Sequence, residues 1–108
     1  MPVDPLPFGL KESTISQMKA VFSNYPCIDK AVIYGSRATG NYRNGSDIDI
    51  TLLGEQLTYE QLNRIETQLD DLMLIYSIDL SLFKCIDSPD LIEHINRVGQ
   101  VFYSSSVG

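Results

Sequence analysis

The chain is 108 residues long, carries a formal net charge of -6 and contains 44% hydrophobic residues. This length suits a single domain with its own hydrophobic core. The acidic balance argues against nonspecific binding to nucleic acid or to an anionic membrane surface, because both need an excess of Lys and Arg. No apolar run reaches the length of a membrane span, and the N-terminus lacks the layout of a signal peptide, so the sequence predicts a cytoplasmic protein.

The chain has two cysteines, Cys27 and Cys85. They are too few for a disulfide scaffold and lack the paired spacing of a metal site. We therefore expect both to be buried, reduced thiols.

Proline and polar residues mark the ends of the predicted domain. Three of the five prolines lie in the first nine residues, and proline disfavours a helix interior, so 1–9 is predicted to be an extended N-terminal segment. The domain is predicted to occupy 10–103, and 104–108 to form a C-terminal tail.

Helices are predicted where apolar residues recur at three- and four-residue steps. The first, over 11–24, has a possible capping box at Thr14 and Gln17. The second, over 58–72, has a clearer one at Thr58 and Gln61. Further predictions are a helical turn within 35–46 and a last helix that starts at Ser88–Pro89 and stops at Gly99.

Strands are predicted at 31–34, 47–53 and 78–83, and 101–103 is a further short apolar run. In the second strand, the residues Ile48, Ile50 and Leu52 should share one face, with Asp47, Asp49 and Thr51 on the other. The strand at 78–83 follows it through a helix and should be parallel to it, whereas the strand at 31–34 is joined to it by a short segment and should be antiparallel. The fold class is α/β (α+β), with a small mixed sheet of three to four strands, helices packed on it, and the order α-β-α-β-α-β-α.

Two acidic residues occupy a strand that is otherwise aliphatic, which is an unusual place for a charge. Asp47 and Asp49 are two residues apart, so both carboxylates should point to one face, where like charges repel unless a cation lies between them. Asp79, on the neighbouring strand, can face the same side. Oxygen ligands of this kind suit Mg²⁺, and three carboxylates on adjacent strands suit a two-ion site for phosphoryl transfer.

A glycine and a serine precede this acidic pair, separated from it by ten residues. Gly35 lets phosphate oxygens approach the backbone, and Ser36 offers a hydroxyl at a predicted helix start, where free N–H groups favour an anion. Arg37 and Arg43 flank this turn, and their guanidinium groups could contact nucleotide oxygens or could simply be solubilising residues. The lone histidine, His94, is expected on a solvated or interface face of the last helix.

The run G-S-R-A-T-G-N-Y-R-N-G-S-D-I-D-I over 35–50 resembles the signature of the DNA polymerase β-type nucleotidyltransferases, in particular their minimal single-domain branch. The resemblance extends over 8–103 and implies Mg²⁺-dependent transfer of a nucleoside monophosphate from an NTP to a hydroxyl, with release of pyrophosphate. By position, Gly35 and Ser36 would hold the triphosphate. Asp47 and Asp49 would bind two Mg²⁺ ions, and Asp79 would complete the shell of one ion and help deprotonate the acceptor hydroxyl.

The resemblance also suggests a partner, because the chain has no second domain to bind an acceptor. Similar minimal proteins are often encoded beside a helical HEPN-type protein, and some act as antitoxins that attach AMP from ATP to a tyrosine of that partner. Three functions stay open: protein adenylyltransferase and antitoxin, non-catalytic antitoxin that covers its partner, and transferase for a small molecule of the aminoglycoside type. The acceptor hydroxyl, the NTP and a homo-oligomeric state are also open.

Overall fold

Aliphatic strands form the centre of the fold, and the computed structural model describes residues 7–43 and 45–105 of the chain. The strands are β1 (Lys30–Tyr34), β2 (Ile48–Leu53), β3 (Ile78–Leu82) and β4 (Gln100–Ser104). The helices are α1 (Glu12–Ser23), α2 (Ser36–Thr39), α3 (Tyr59–Asp71) and α4 (Pro89–Val98). This order confirms the predicted mixed α+β fold. The apolar run at 101–103 becomes the fourth strand, which continues to Ser104, one residue beyond the predicted end of the domain.

The strands form one sheet in the order β3-β2-β1-β4. β2 and β3 are parallel, as predicted from the helix α3 that connects them. β1 pairs with β2 antiparallel and, on its other side, with β4 antiparallel. In the second pairing Lys30 lies opposite Ser104, so β4 ends where β1 begins.

The core lies on one face of the sheet, against α1 and α3. Ile48, Ile50 and Leu52 are at most 1% exposed, which confirms the predicted apolar face of β2. The helices contribute the spaced apolar residues Met18, Val21, Phe22, Leu62, Ile65 and Leu69 to the same cluster. Thr51, predicted on the polar face, is fully buried, and its hydroxyl has no hydrogen-bond partner among the described residues.

The three long helices lie where they were predicted, and two of the three predicted N-terminal caps are confirmed. At α3 the Gln61 N–H donates to Thr58 Oγ1 at 3.2 Å and the Thr58 N–H donates to Gln61 Oε1 at 3.1 Å, a complete capping box. At α4 the Leu91 N–H donates to Ser88 Oγ. The predicted box at Thr14 is wrong, because α1 begins at Glu12 and Thr14 turns into the core from within the helix.

The start of the described chain and one cysteine also differ from prediction. Pro7–Gly9 form a 3-10 turn instead of extended chain, since Phe8 adopts a φ of 57° and its ring packs against Phe102. Cys85 is exposed and Cys27 is half-buried, so neither is the fully buried thiol that was expected. Residues 1–6 and 106–108 of the predicted end segments lie outside the described residues. Within the described ranges, no helix is both long and apolar enough to cross a membrane.

Candidate active site

The strand register brings together residues from three strands on the face of the sheet opposite the core. Asp49 on β2 lies beside Tyr34 on β1 and beside Asp79 on β3. Asp47 lies immediately before β2 and is exposed. We call Asp47, Asp49 and Asp79 the carboxylate row, and its alignment follows from the parallel pairing of β2 with β3.

The carboxylate row is electrostatically unfavourable in the free protein. Burial raises the pKa of Asp49 above its ordinary value, and the negative charges of Asp79 and Asp47 raise it further. Burial also raises the pKa of Tyr34, an effect that the nearby Ser81 hydroxyl offsets in part and that the charges of Asp79 and Asp49 reinforce. The row therefore favours a bound cation.

Gly35 connects β1 to α2 in a conformation that only glycine adopts easily, with φ 76° and ψ -155°. A Cβ atom there would collide with Oδ2 of Asp49. The turn before Ser36 and the central carboxylate are thus packed directly against each other, and the missing side chain is what allows it.

Replacing Gly35 with alanine should lower the free energy of unfolding by about 1–3 kcal/mol, because a side chain is strained at this φ and ψ and Asp49 must move. The control is the same change made in an Asp49→Ala background, where the backbone strain is unchanged and the Oδ2 atom that a Cβ would meet is gone. Urea unfolding measures the loss in each background. Equal losses would show that Asp49 does not limit the space at Gly35.

Ser36 begins α2, a single helical turn whose geometry is fixed by local hydrogen bonds. The Ser36 carbonyl accepts bonds from the Asn41 N–H at 3.0 Å and from Thr39 Oγ1 at 3.2 Å. The Gly35 carbonyl accepts bonds from the N–H groups of Ala38 and Thr39. A helix this short has little macrodipole to attract an anion. The groups at this turn that could bind one are the Gly35 backbone and the Ser36 hydroxyl.

Arg37 has a different position from the one predicted for a nucleotide ligand. It is 3% exposed, and its guanidinium lies between the rings of Tyr42 and Tyr76, 5.2 and 4.8 Å from their centroids. Nε and Nη2 donate to the Ser46 carbonyl at 3.0 and 2.9 Å, and Nη1 donates to the Phe8 carbonyl at 2.8 Å. Arg37 therefore holds the loop before Asp47 in place, and all three nitrogens of its guanidinium donate to backbone carbonyls of the protein. Arg43 is exposed in that loop.

His94 lies at the site, although the sequence places it only on a solvated or interface face. Its ring packs edge-to-face on the Tyr34 ring, with centroids 6.2 Å apart and an interplanar angle of 81°. Its interaction with Asp49 opposes that of the carboxylates and lowers the pKa of Asp49, an effect smaller than those of burial, Asp79 and Asp47, which raise it. The helical pattern of α4 could not reveal this neighbour, because the contact depends on where α4 crosses the sheet.

The donor set fits a hard divalent cation in its chemistry. Carboxylate oxygens are the ligands that Mg²⁺ prefers, and a cation would relieve the repulsion that raises the pKa of Asp49. The described part of the chain holds no group of three or more His, Cys, Asp or Glu side chains already gathered around one point. The three carboxylates therefore lie side by side along the row, and their oxygens do not yet surround one common point.

A family model for polymerase beta nucleotidyltransferases matches residues 16–107 of the chain. The chain belongs to this family, and the four-stranded mixed sheet with its flanking helices is the fold of that family. Among curated proteins, none matches the sequence.

Solved structures of toxin–antitoxin complexes have the same fold. One, a toxin–antitoxin with AMP-PNP, superposes with a TM-score of 0.67 at 21% identity, covering 90% of this chain and 76% of that one. A second, an MNT antitoxin in complex with a tri-AMPylated HEPN toxin from Shewanella oneidensis, has a TM-score of 0.65 at 16% identity and covers 89% and 74%. A third, the MntA–HepT toxin–antitoxin, has a TM-score of 0.64 at 16% identity and covers 88% and 74%.

Proposed function

We propose that this nucleotidyltransferase transfers AMP from ATP to a hydroxyl group of a partner protein, and that the partner is a helical HEPN-type toxin. The observation that carries the proposal is the packing of Asp49 between Gly35 and Asp79. It joins the proposed triphosphate-binding turn to the acidic row within one continuous site. The complexes of similar fold contain AMP-PNP in one case and an AMPylated HEPN toxin in another, which supports the choice of nucleotide and partner.

The reaction forms one bond and breaks one bond at the α-phosphorus of the nucleotide. The acceptor oxygen attacks this phosphorus, the bond to the bridging oxygen between the α- and β-phosphates breaks, and pyrophosphate leaves with the bonding electrons. The proton of the acceptor hydroxyl passes to a carboxylate of the row, for which we propose Asp79. Asp79 suits this role because it is exposed on an edge strand, where an acceptor can reach it.

Gly35 and Ser36 are proposed to hold the triphosphate. The glycine leaves the backbone open to phosphate oxygens, and the Ser36 hydroxyl can donate a hydrogen bond to them. Asp47, Asp49 and Asp79 would hold two Mg²⁺ ions, which would neutralise charge on the phosphate oxygens and orient the attacking and leaving oxygens.

The surface around the carboxylate row is open to a macromolecular acceptor. Asp47 and Asp79 are exposed, and the row lies on the face of the sheet opposite the core. A partner that presents its own hydroxyl to this face would supply the second wall of a cleft. A protein acceptor therefore suits the proposed reaction.

The test is label transfer with the co-purifying helical partner protein, Mg²⁺ and ATP carrying the label at the α-phosphate. We expect label on the partner with α-labelled ATP and none with γ-labelled ATP, together with one pyrophosphate released per AMP attached. Asp47→Asn should reduce the transfer at least a hundredfold, because it removes a proposed metal ligand. Asp29→Asn, which removes an exposed charge at the opposite end of β1, is the matched control and should leave transfer unchanged.

The same experiment separates the competing functions. If the partner is neutralised equally by the wild type and by folded Asp47→Asn protein, without label transfer, the chain acts as a non-catalytic antitoxin. If label appears only on an added aminoglycoside, the acceptor is a small molecule. Either result would overturn the proposed protein adenylyl transfer.

A further inference from the structure

The candidate site needs cationic or N–H donor side chains for a polyphosphate, and the obvious donor does not face it. Arg37 directly follows Ser36, but its guanidinium is buried and donates to the carbonyls of Ser46 and Phe8. Lys84 follows the strand of Asp79 closely, but its Nζ donates to the Glu55 carbonyl at 2.7 Å. Arg37 and Lys84 are thus engaged elsewhere, and Arg43 is exposed in the loop before Asp47.

Helix α4 and the first residue of β4 both contact the segment around the Gly35–Ser36 turn. The His94 ring of α4 packs on Tyr34, the residue immediately before Gly35. Gln100, which begins β4, donates from Nε2 to the Ala38 carbonyl of α2 at 2.7 Å. Both contacts are made to the short segment 34–38, so α4 and the start of β4 are held against the turn that is proposed to hold the triphosphate.

His94 is therefore held next to the turn and to the central carboxylate. Tyr34 is 8% exposed and pairs with Asp49 in the sheet, so the histidine that packs on it lies beside both. His94 itself is only half-buried, so a ligand at the turn can reach its ring. An imidazole keeps at least one N–H donor in either charge state.

We propose that His94 is a phosphate-binding residue of this site, whose imidazole N–H donates to the polyphosphate of the bound nucleotide. The inference rests on the proposed function, since it assumes that Gly35 and Ser36 hold that polyphosphate. In this arrangement Tyr34 orients the ring of His94, and Gln100 ties α2 to the start of β4. His94 then makes the phosphate contact that the sequence suggests for Arg37.

The test measures binding of a non-hydrolysable ATP analogue with Mg²⁺ by titration calorimetry, so it does not depend on turnover or on the partner. His94→Phe keeps an aromatic ring against Tyr34 but has no N–H donor, and we expect its affinity to fall about tenfold, as for the loss of one hydrogen bond to a charged group. His94→Gln keeps an N–H donor and should retain most of the affinity. Arg97→Ala, which removes an exposed cation from the same helix, should bind like the wild type.

The variants separate a binding role from a packing role. If His94→Phe binds as tightly as the wild type, or if His94→Gln loses as much affinity as His94→Phe, the proposed hydrogen bond is overturned. Thermal unfolding of each variant shows that the comparison is made between folded proteins. Absence of binding by the wild type would instead overturn the proposed function, so the two failures are distinguishable.

Discussion

Replacement of Asp49 with asparagine should abolish nucleotidyl transfer and, at the same time, raise the stability of the metal-free protein. Asparagine removes a charge that is disfavoured by burial and by the carboxylates of Asp79 and Asp47. We expect transfer to fall at least a thousandfold, and the melting temperature at neutral pH to rise by about 2–4 °C, which for a domain of this size is roughly half a kcal/mol. The measurements are label transfer to the partner and thermal unfolding without divalent cations.

The pH dependence of this stability difference follows from the sign of the pKa shift. Because the pKa of Asp49 is higher in the folded protein than in the unfolded chain, its contribution favours folding in acid and is lost as the pH rises through the raised pKa. The gain of Asp49→Asn should therefore be present at pH 7 and shrink as the pH is lowered towards the ordinary carboxyl pKa. Asp29→Asn, an equal change in net charge away from the row, should show no such trend. A wild type that is more stable than Asp49→Asn at pH 7 without metal would contradict the account.

Replacement of Arg37 should have the largest effect on stability of any single change near the site. Arg37→Leu leaves the partly buried carbonyls of Ser46 and Phe8 without these donors and removes the cation from between two tyrosine rings. We expect the free energy of unfolding, measured in urea, to fall by about 2–4 kcal/mol. Nucleotide affinity should fall as well, because the loop that leads to Asp47 loses its anchor.

Arg37→Lys tests whether the shape of the guanidinium matters as well as its charge. A single ammonium group cannot make the paired bonds to Ser46 and the bond to Phe8 together, so we expect it to lose about 1–3 kcal/mol. Arg64→Leu is the control on the exposed side of α3, where the ion pair with Glu60 should contribute less than about 0.5 kcal/mol. Full stability of Arg37→Lys would mean that the charge alone suffices.

The sequence predicted most of the fold because its local signals agree with one another. The alternation in β2, the capping box at Thr58 and the proline after Ser88 each reflect interactions within a few residues, and each is confirmed. The box at Thr14 failed for the opposite reason. Its spacing is right, but Thr14 is drawn into the core by tertiary packing, and the helix starts earlier.

In the candidate site too, the features set by local pattern could be predicted and those set by tertiary packing could not. The alignment of Asp49 with Asp79 could be predicted, since alternation and parallel pairing fix the face of each residue. The positions of Arg37 and His94 could not. Arg37 is buried only because Tyr42 and Tyr76 meet over it from separate loops, and His94 reaches Tyr34 only because α4 crosses the sheet at β1.

The antiparallel pairing of β1 with β4 has a practical consequence for attaching probes or tags. β1 runs towards Gly35, whereas β4 runs away from it and ends opposite Lys30. The Ser105 N–H, just after β4, donates to the carbonyl of Asp29 at the start of β1. A fluorophore or affinity handle attached at this end of β4 would therefore lie about 20 Å along the strand from the Gly35 turn, at the rise per residue of a β-strand. The end of β4 is accordingly the preferred point of attachment when nucleotide binding is to be measured.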